Sequence, residues 1–380
     1  MNEFIADSMP AEIRTQTLDP RIETFLEEFK TKIEEACDRG HRLCIRGSGS
    51  KDWYGATRAG EVLDTRAYRG VVSYDPAELV ITARSGTPLA EIEQLLSSHH
   101  QMLAFEPPHF GLGATLGGCI ATGLAGPRRM SAGAVRDFLL GASILTGRGE
   151  FLRFGGQVMK NVAGYDVARL IAGSLGTLGL LMDISVKVLP KPSASATLRQ
   201  EMSACDAVRK LNEWAGRPLP ITASSWHAGV LTIRLEGASA AVRTACATLG
   251  GEALQQPAAT MYWHSLREQS NAFFQKVPAD AALWRLCVPS TTEPAVLRDV
   301  DFQFIEWGGS QRWLFAAGDD DSVRRDAVAA GGHATQFRHA KNGVDVFTAL
   351  SPPIAAIHKR LKTAFDPAGV FNHGRMFAGI

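Results

Sequence analysis

The sequence predicts an α+β protein in two parts: a larger N-terminal domain carrying glycine-rich loops, then a smaller antiparallel α+β cap. Three observations lead there. The first half holds three glycine-rich stretches, Arg46-Gly47-Ser48-Gly49-Ser50, Gly111 to Gly118, and Gly173 to Gly179, separated by strand-like and helix-like runs. Pro190-Lys191-Pro192 then breaks the chain after an alternating apolar strand. Beyond it the texture changes to short paired strands with intervening helices.

Taken in order, residues 1–19 read as a leader, 20–190 as the loop-bearing domain, 191–352 as the cap, and 353–380 as a helix and tail returning to the first domain. Pro20 opens a helix with Phe25, Leu26, Phe29 and Ile33 on one face. Arg42–Arg46 is a short strand running into the first glycine loop, and Val71–Tyr74 and Leu79–Ala83 are strands. A helix follows between Pro88 and Ser98. Leu139–Leu145 and Phe151–Phe154 pair around Gly147-Arg148-Gly149, a helix near Tyr165–Ala172 leads into the third loop, and Leu180–Leu189 is a strand. In the second half, Ile221–Ser225 with Val230–Leu235, Leu283–Val288, and Phe302–Trp307 with Arg312–Ala316 read as strands, the last two turning at Gly308-Gly309. Ala238–Leu249, Tyr262–Phe274 and Pro353–Phe365 read as helices.

Bulk properties exclude several classes. At 380 residues the chain can bury two full cores. Forty Lys and Arg against 39 Asp and Glu leave no general field to recruit nucleic acid or an anionic membrane. Six scattered cysteines with no C-x-x-C pair argue against an iron–sulfur or zinc site built by this chain, so no metal is expected. The uncharged apolar run Leu170–Met182 is far short of the roughly 18 residues of a membrane span. No secretory signal is read at the N-terminus, and a soluble cytoplasmic protein with reduced thiols is the expectation.

Glycine removes the side chain, so peptide N–H groups can close on phosphate oxygens or lie flat against a ring. A single such loop is more often a tight turn. Three in order point to a large dinucleotide held along its length. None reads G-x-G-x-x-G between strand and helix with an acid about twenty residues on, and no Gly-Lys-Ser/Thr occurs, so neither a Rossmann fingerprint nor a P-loop is present.

The order and content of these loops resemble the flavin-binding domain of the vanillyl-alcohol oxidase and p-cresol methylhydroxylase family. The likeness rests on Arg46–Ser50, on Thr115-Leu116-Gly117-Gly118-Cys119-Ile120-Ala121-Thr122, and on Gly164-Tyr165-Asp166 followed by Gly173–Gly179. It covers about residues 40–190. The tail Phe365–Arg375 is similar to that of the family's lactate and glycolate dehydrogenases, with His373 where proline is usual. Within the family the chain is most similar to the E-type FAD-binding subunits of bacterial glycolate oxidases. That likeness lies in Phe105-Glu106-Pro107-Pro108-His109, Gly126-Pro127-Arg128-Arg129, Lys160–Asp166 and Trp307-Gly308-Gly309. The His-x-Gly-Asp-Gly-Asn-x-His segment that marks the larger D-type partner is missing.

The resemblance implies a two-part FAD-binding domain of the p-cresol methylhydroxylase type. Gly47, Ser48, Gly49 and Ser50 would wrap the pyrophosphate with Arg46 nearby. Gly113, Thr115, Gly117, Gly118 and Thr122 would line the central channel beside Pro107. Gly176, Thr177 and Gly179 would approach from the other side, with Tyr165 and Asp166 fixing the entry to their loop and Asn372 contributed by the tail. Some relatives attach flavin through a histidine of the first loop. Here that segment runs Ser50-Lys51-Asp52-Trp53-Tyr54, so the FAD is expected to be non-covalent.

Oxidation of a 2-hydroxy acid needs a base, a hydride acceptor and a cation for the carboxylate. Candidate bases are His109 and His373. Candidate clamps are Arg375, Arg312 and Arg285, the last two read more readily as solvated strand-edge arginines. The implied function is the FAD subunit of a glycolate (or D-lactate) dehydrogenase, working with a D-type flavin subunit and an iron–sulfur subunit that passes electrons to quinone. The implied location is cytoplasmic, peripheral at the inner membrane through those partners. Two alternatives stand beside it: a flavin-free scaffold of the same complex, and a self-sufficient FAD enzyme acting on another alcohol.

Overall fold

The computed structural model describes residues 20–56, 59–156, 165–276, 278, 281–297, 303–317, 321–338 and 345–380. The leader and the Lys160–Gly164 part of the family likeness lie outside them. The helix Pro20–Arg39 buries Phe29, Ile33 and Ala36 against a parallel pair of strands, Leu43–Arg46 and Glu61–Asp64. Val370 and Phe371 of the tail share that cluster, and Leu43 bridges Phe371 in parallel. The N-terminal helix and the tail thus form one small core.

Beside it stands a five-stranded antiparallel sheet in the order Val71–Asp75, Val80–Arg84, Leu180–Lys187, Leu139–Leu145, Phe151–Gly155. Leu180–Lys187 is central and buries six of its eight residues, as a strand covered on both faces must. The helices Leu89–Ser98 and Leu116–Thr122 pack on it through Leu89, Ile92, Leu96, Leu116 and Ile120. The chain leaves through Leu189–Pro190, which pairs with Gln101–Met102, and by Ala194 it has entered a second sheet.

That sheet has eight antiparallel strands, in the order Glu252–Ala253, Ala194–Glu201, Val230–Gly237, Ile221–His227, Phe304–Glu306, Gln311–Ala317, Ala281–Cys287, His333–Arg338. Alternation along Ala281–Cys287 divides its two faces. Ala282, Trp284 and Leu286 pack under the helix Asp321–Ala329 with Val323 and Ala327. Leu283 instead joins Phe304, Trp313 and Phe337 in an aromatic cluster that also takes in Tyr54, Leu124 and Leu175 from the glycine-loop part. The cap's aromatic face is therefore pressed onto the loops.

Several expectations need correction. The single helix expected over Tyr262–Phe274 is two helices, Ala258–Arg267 and Ala272–Gln275. Gln269 adopts φ +51° and Asn271 caps the second helix by accepting from the N–H groups of Phe273 and Phe274, so the first cannot continue. The second glycine loop does not remain a loop: Thr115 accepts from the Gly118 N–H as an N-cap, and Leu116–Thr122 is helical until Gly123 turns left-handed. Nothing in the pattern of Ala194–Glu201 announces its strand, because only Thr197 and Leu198 are buried there and alternation is weak.

Candidate functional site

The three glycine loops meet. Gly47 lies so close to the second loop that a Cβ would stand 2.4 Å from Thr115 Oγ1, and a Cβ on Gly113 would touch Ser48 at 3.6 Å. The third loop closes on the helix of the second: Gly173 N–H donates to Ile120 and Leu175 N–H to Ala121, both backbone carbonyls. A Cβ at Gly123 would come within 3.1 Å of Gly173 Cα. Around the first loop, the N–H groups of Gly47, Ser48 and Gly49 donate to no protein acceptor among the described residues. Bare, convergent donors of this kind make an anion cradle.

The tail locks this arrangement. Asn372 accepts from Ile45 N–H at 2.9 Å and donates its amide to Leu175 C=O at 2.6 Å, joining the first strand to the third loop. A Cβ on Gly176, at φ +72°, would lie 2.7 Å from that amide nitrogen. Lys362 is buried and its ammonium donates to Thr177 C=O, Phe371 C=O and the Asp366 carboxylate at 2.7–2.8 Å. Burial pulls the Lys362 pKa down, and Asp366 counters it.

These contacts reassign several residues. Arg46 folds back over Gly49 and pairs with Asp52 at 2.9 Å, so it braces the loop from within. Ser50 donates its N–H toward Ser48 Oγ at 3.4 Å. Thr115 is a buried helix cap, and Thr122 Oγ1 donates back to Gly118 C=O, so both hydroxyls are spent on the helix. Gly117 is needed for packing, since a Cβ would sit 2.7 Å from Ser85 Cβ; Gly179 likewise meets Leu145 C=O at 2.9 Å. Gly118 differs: its Cβ would meet only Thr115 Oγ1, at 3.3 Å, and otherwise open space. Thr177 Oγ1 donates to Ser174 C=O. Asp166 caps the helix Val167–Ile171 and pairs with Arg169, while Tyr165 is 96% exposed. Pro107 is buried in the extended segment before His109.

The expected catalytic groups are also engaged. The imidazole of His109 has Nε2 3.2 Å from the Glu93 carboxylate, off the hydrogen-bonding axis, and its backbone N–H donates to Glu268. His373 sits on the tail; partial burial, then Arg42 and Lys362, hold its pKa below the usual histidine value. Arg375 is 6% exposed and gives its guanidinium to the carbonyls of Ala56, Asp52 and Tyr54, which corrects its reading as a substrate clamp: it ties the tail to the first loop. Arg312 and Arg285 are not solvated edge residues either. Arg312 is fully buried and donates to Thr292 C=O. Arg285 points to the aromatic face, donating to Tyr54 Oη at 3.1 Å.

Three short segments singled out in the sequence meet where the cap docks. Glu106 lies between Arg234 of the cap, 2.9 Å away, and Arg128, whose backbone N–H it accepts at 2.8 Å. Burial pushes the Glu106 carboxyl up, but the two guanidiniums outweigh it and hold it below the ordinary value. Trp307 donates its indole N–H to Gly126 C=O at 3.1 Å and lies under Arg129 at 4.6 Å. A small cavity remains between the segments, with Pro108, Phe110 and Pro127 on one side and Arg285, Glu306 and Gln311 on the other. Glu306 accepts from Trp313 Nε1 and Gln311 Nε2. Burial, reinforced by Glu106, pushes its pKa up to about 7 despite those two hydrogen bonds.

Because the folded state holds this proton more tightly than the unfolded one, the contribution is complete below the ordinary value of 4.5 and fades as pH rises to about 7. Unfolding of Glu306→Gln beside the parent between about pH 4.5 and 7.5 should show the parent losing stability relative to the variant with increasing pH. Parallel curves would refute the assignment.

Comparison with known proteins adds what geometry alone does not. A model of the FAD binding domain matches residues 25–155. The glycolate oxidase subunit GlcE of Escherichia coli K12 is 49% identical over 350 residues, spanning 92% of this chain and 96% of that protein. The chain belongs to the GlcE family. It is also 33% identical over 162 residues to the glycolate oxidase subunit GlcD of Bacillus subtilis 168, covering 42% of this chain and 34% of that one. An alkyldihydroxyacetonephosphate synthase structure shares the fold with TM-score 0.64 at 15% identity, over 91% of this chain and 74% of that one. This GlcE-family chain is a flavoprotein of the oxidoreductases, and its cofactor is FAD.

The residues present fit that group. Unpaired N–H groups at Gly47–Gly49 suit a diphosphate, and the open side of Gly118 is a space that a side chain would fill. Lys362, Asp366, Arg234 and Glu306 are buried charged positions around the site that sequence reasoning misses. Charged residues on helices and strands look solvated in one dimension, and only Asp366, four residues after Lys362, offers a spacing signal.

Proposed function

We propose that this chain is the FAD-holding subunit of a glycolate-oxidising complex, taking glycolate or D-lactate to the 2-oxo acid with a D-type flavin subunit and an iron–sulfur subunit as partners. The convergence of three glycine loops and the tail on one row of unpaired N–H groups carries the reading. Bound FAD supplies a two-electron acceptor. The chain's own residues would do the holding: Gly47, Ser48 and Gly49 would donate to the diphosphate, and Gly118 leaves room beside the helix Leu116–Thr122. Asn372 and Lys362 fix the third loop, while the cap packs its aromatic face against Tyr54, Leu124 and Leu175. With no histidine in Ser50–Tyr54, the flavin is held without a covalent bond and should leave on acid precipitation. A cytoplasmic location, at the inner membrane only through partners, is part of the same proposal.

The test is copurification of the tagged chain with its companions and a visible spectrum before and after glycolate. A yellow complex bleached by glycolate supports the reading; a colourless, well-folded complex that refuses added FAD removes it. Gly118→Val sharpens this. The fold should survive, since little lies near the new side chain, but flavin content should drop at least about tenfold, as expected for a blocked contact of roughly 1.4 kcal/mol or more. Full flavin occupancy in Gly118→Val would contradict the placement.

A further inference from the structure

The cavity between the cap sheet and the Pro108–Pro127 wall holds an unusual set of unsatisfied groups. Gln311 is 3% exposed and spends its amide N–H on Glu306, leaving Oε1 buried with no partner among the described residues. Gln269 is 5% exposed, and its side-chain Oε1 is likewise buried and unpaired. Arg285 donates one nitrogen to Tyr54 Oη and stacks over Phe337 at 5.1 Å, but its Nε is buried without an acceptor. Among the described residues no carboxylate pairs with Arg285. All three side chains line one cavity, together with Glu306, Arg267 and a row of apolar residues. Native proteins rarely leave buried donors and acceptors unmade, so such a cluster marks a place for a polar partner.

We propose that Arg285, Gln269 and Gln311 form the binding site for a small 2-hydroxy carboxylate, with the carboxylate on Arg285 and the hydroxyl donating to a glutamine Oε1. The complementarity is one of sign. The protein offers a spare cationic donor and spare neutral acceptors, and a hydroxy acid brings an anionic acceptor and a hydroxyl donor. Tyr54 and Phe337 hold the guanidinium plane, so Arg285 is oriented before the ligand arrives. At about 20 Å³ the cavity holds little more than a water, so a two- or three-carbon acid must spread its walls to enter. The inference rests on the function proposed above and deepens it by naming the substrate-holding residues.

The test uses the full chain with its flavin reduced beforehand under anaerobic conditions, so that glycolate binds without being consumed. Calorimetric titration should show glycolate bound more tightly than acetate, and glycolamide hardly at all. Arg285→Met should weaken glycolate at least about 30-fold with flavin content unchanged, and Arg285→Lys should recover part of the loss. Gln269→Leu and Gln311→Leu should erode the preference for glycolate over acetate, which a merely structural role would not. Unchanged affinity in Arg285→Met overturns the proposal. So does simultaneous loss of flavin in folded Arg285→Met, which would give the cavity to the cofactor ring instead. A chain that takes no flavin yet binds glycolate through Arg285 would keep this inference and remove the function it rests on.

Discussion

Arg234→Met should loosen the cap from the flavin part and cost about 3–5 kcal/mol of stability, the usual range for removing one partner of a buried charge pair. Arg234 is 6% exposed and stands between two acids, Glu106 at 2.9 Å and Glu236 at 3.0 Å, with its guanidinium over Trp263 at 5.1 Å. Arg128 completes the group, with Glu236 at 2.7 Å. Two cations and two anions balance there. Removing Arg234 leaves Arg128 to serve both carboxylates, and its approach to Glu106 is only 3.5 Å. The stranded Glu106 carries much of the cost, so Glu106→Gln added to Arg234→Met should restore part of the stability. Urea unfolding of the parent, both single variants and the double variant measures this coupling. Strictly additive effects would mean that the acid and the base do not work as a pair.

Lys362→Met should cost a similar amount, about 3–5 kcal/mol, and lower flavin retention as well. All three ammonium hydrogens of Lys362 are placed: on the third glycine loop at Thr177, on the tail at Phe371, and on Asp366. Asp366 is 1% exposed and would keep only the N–H groups of Val370 and Phe371, at 3.0 and 2.8 Å, to balance its charge. Methionine fills the volume but supplies no donor. The tail that carries Asn372 would lose its anchor, and with it the hold on Leu175. Unfolding midpoints and the ratio of flavin to protein after gel filtration test both halves. A variant as stable and as yellow as the parent would show that Lys362 only fills space.

The glycine loops are readable in the sequence because close backbone approach leaves few other residues possible. Gly47 against Thr115 and Gly176 against Asn372 are contacts that a Cβ would forbid. Thr115 and Thr122 are legible as important but not in kind. Their hydroxyls serve the helix Leu116–Thr122, whose first three residues lie inside what reads as a loop. Arg375 suits, by residue type, a chemistry that its surroundings deny it. A guanidinium saturated by backbone carbonyls has no fork left for a substrate, and nothing in the residue type reveals that saturation.

By itself, then, the sequence determined the local features: strand and helix periods, the break at Pro190-Lys191-Pro192, and the glycines where backbone must touch backbone. These depend on neighbours along the chain or on the absence of a side chain, so they survive in one dimension. Which charges are buried, and opposite what, was decided only by tertiary structure. Arg285 lies 231 positions from Tyr54, and Lys362 lies 185 positions from Thr177. Electrostatic environment is a property of the three-dimensional neighbourhood, because burial removes the water that would otherwise make every charged side chain alike.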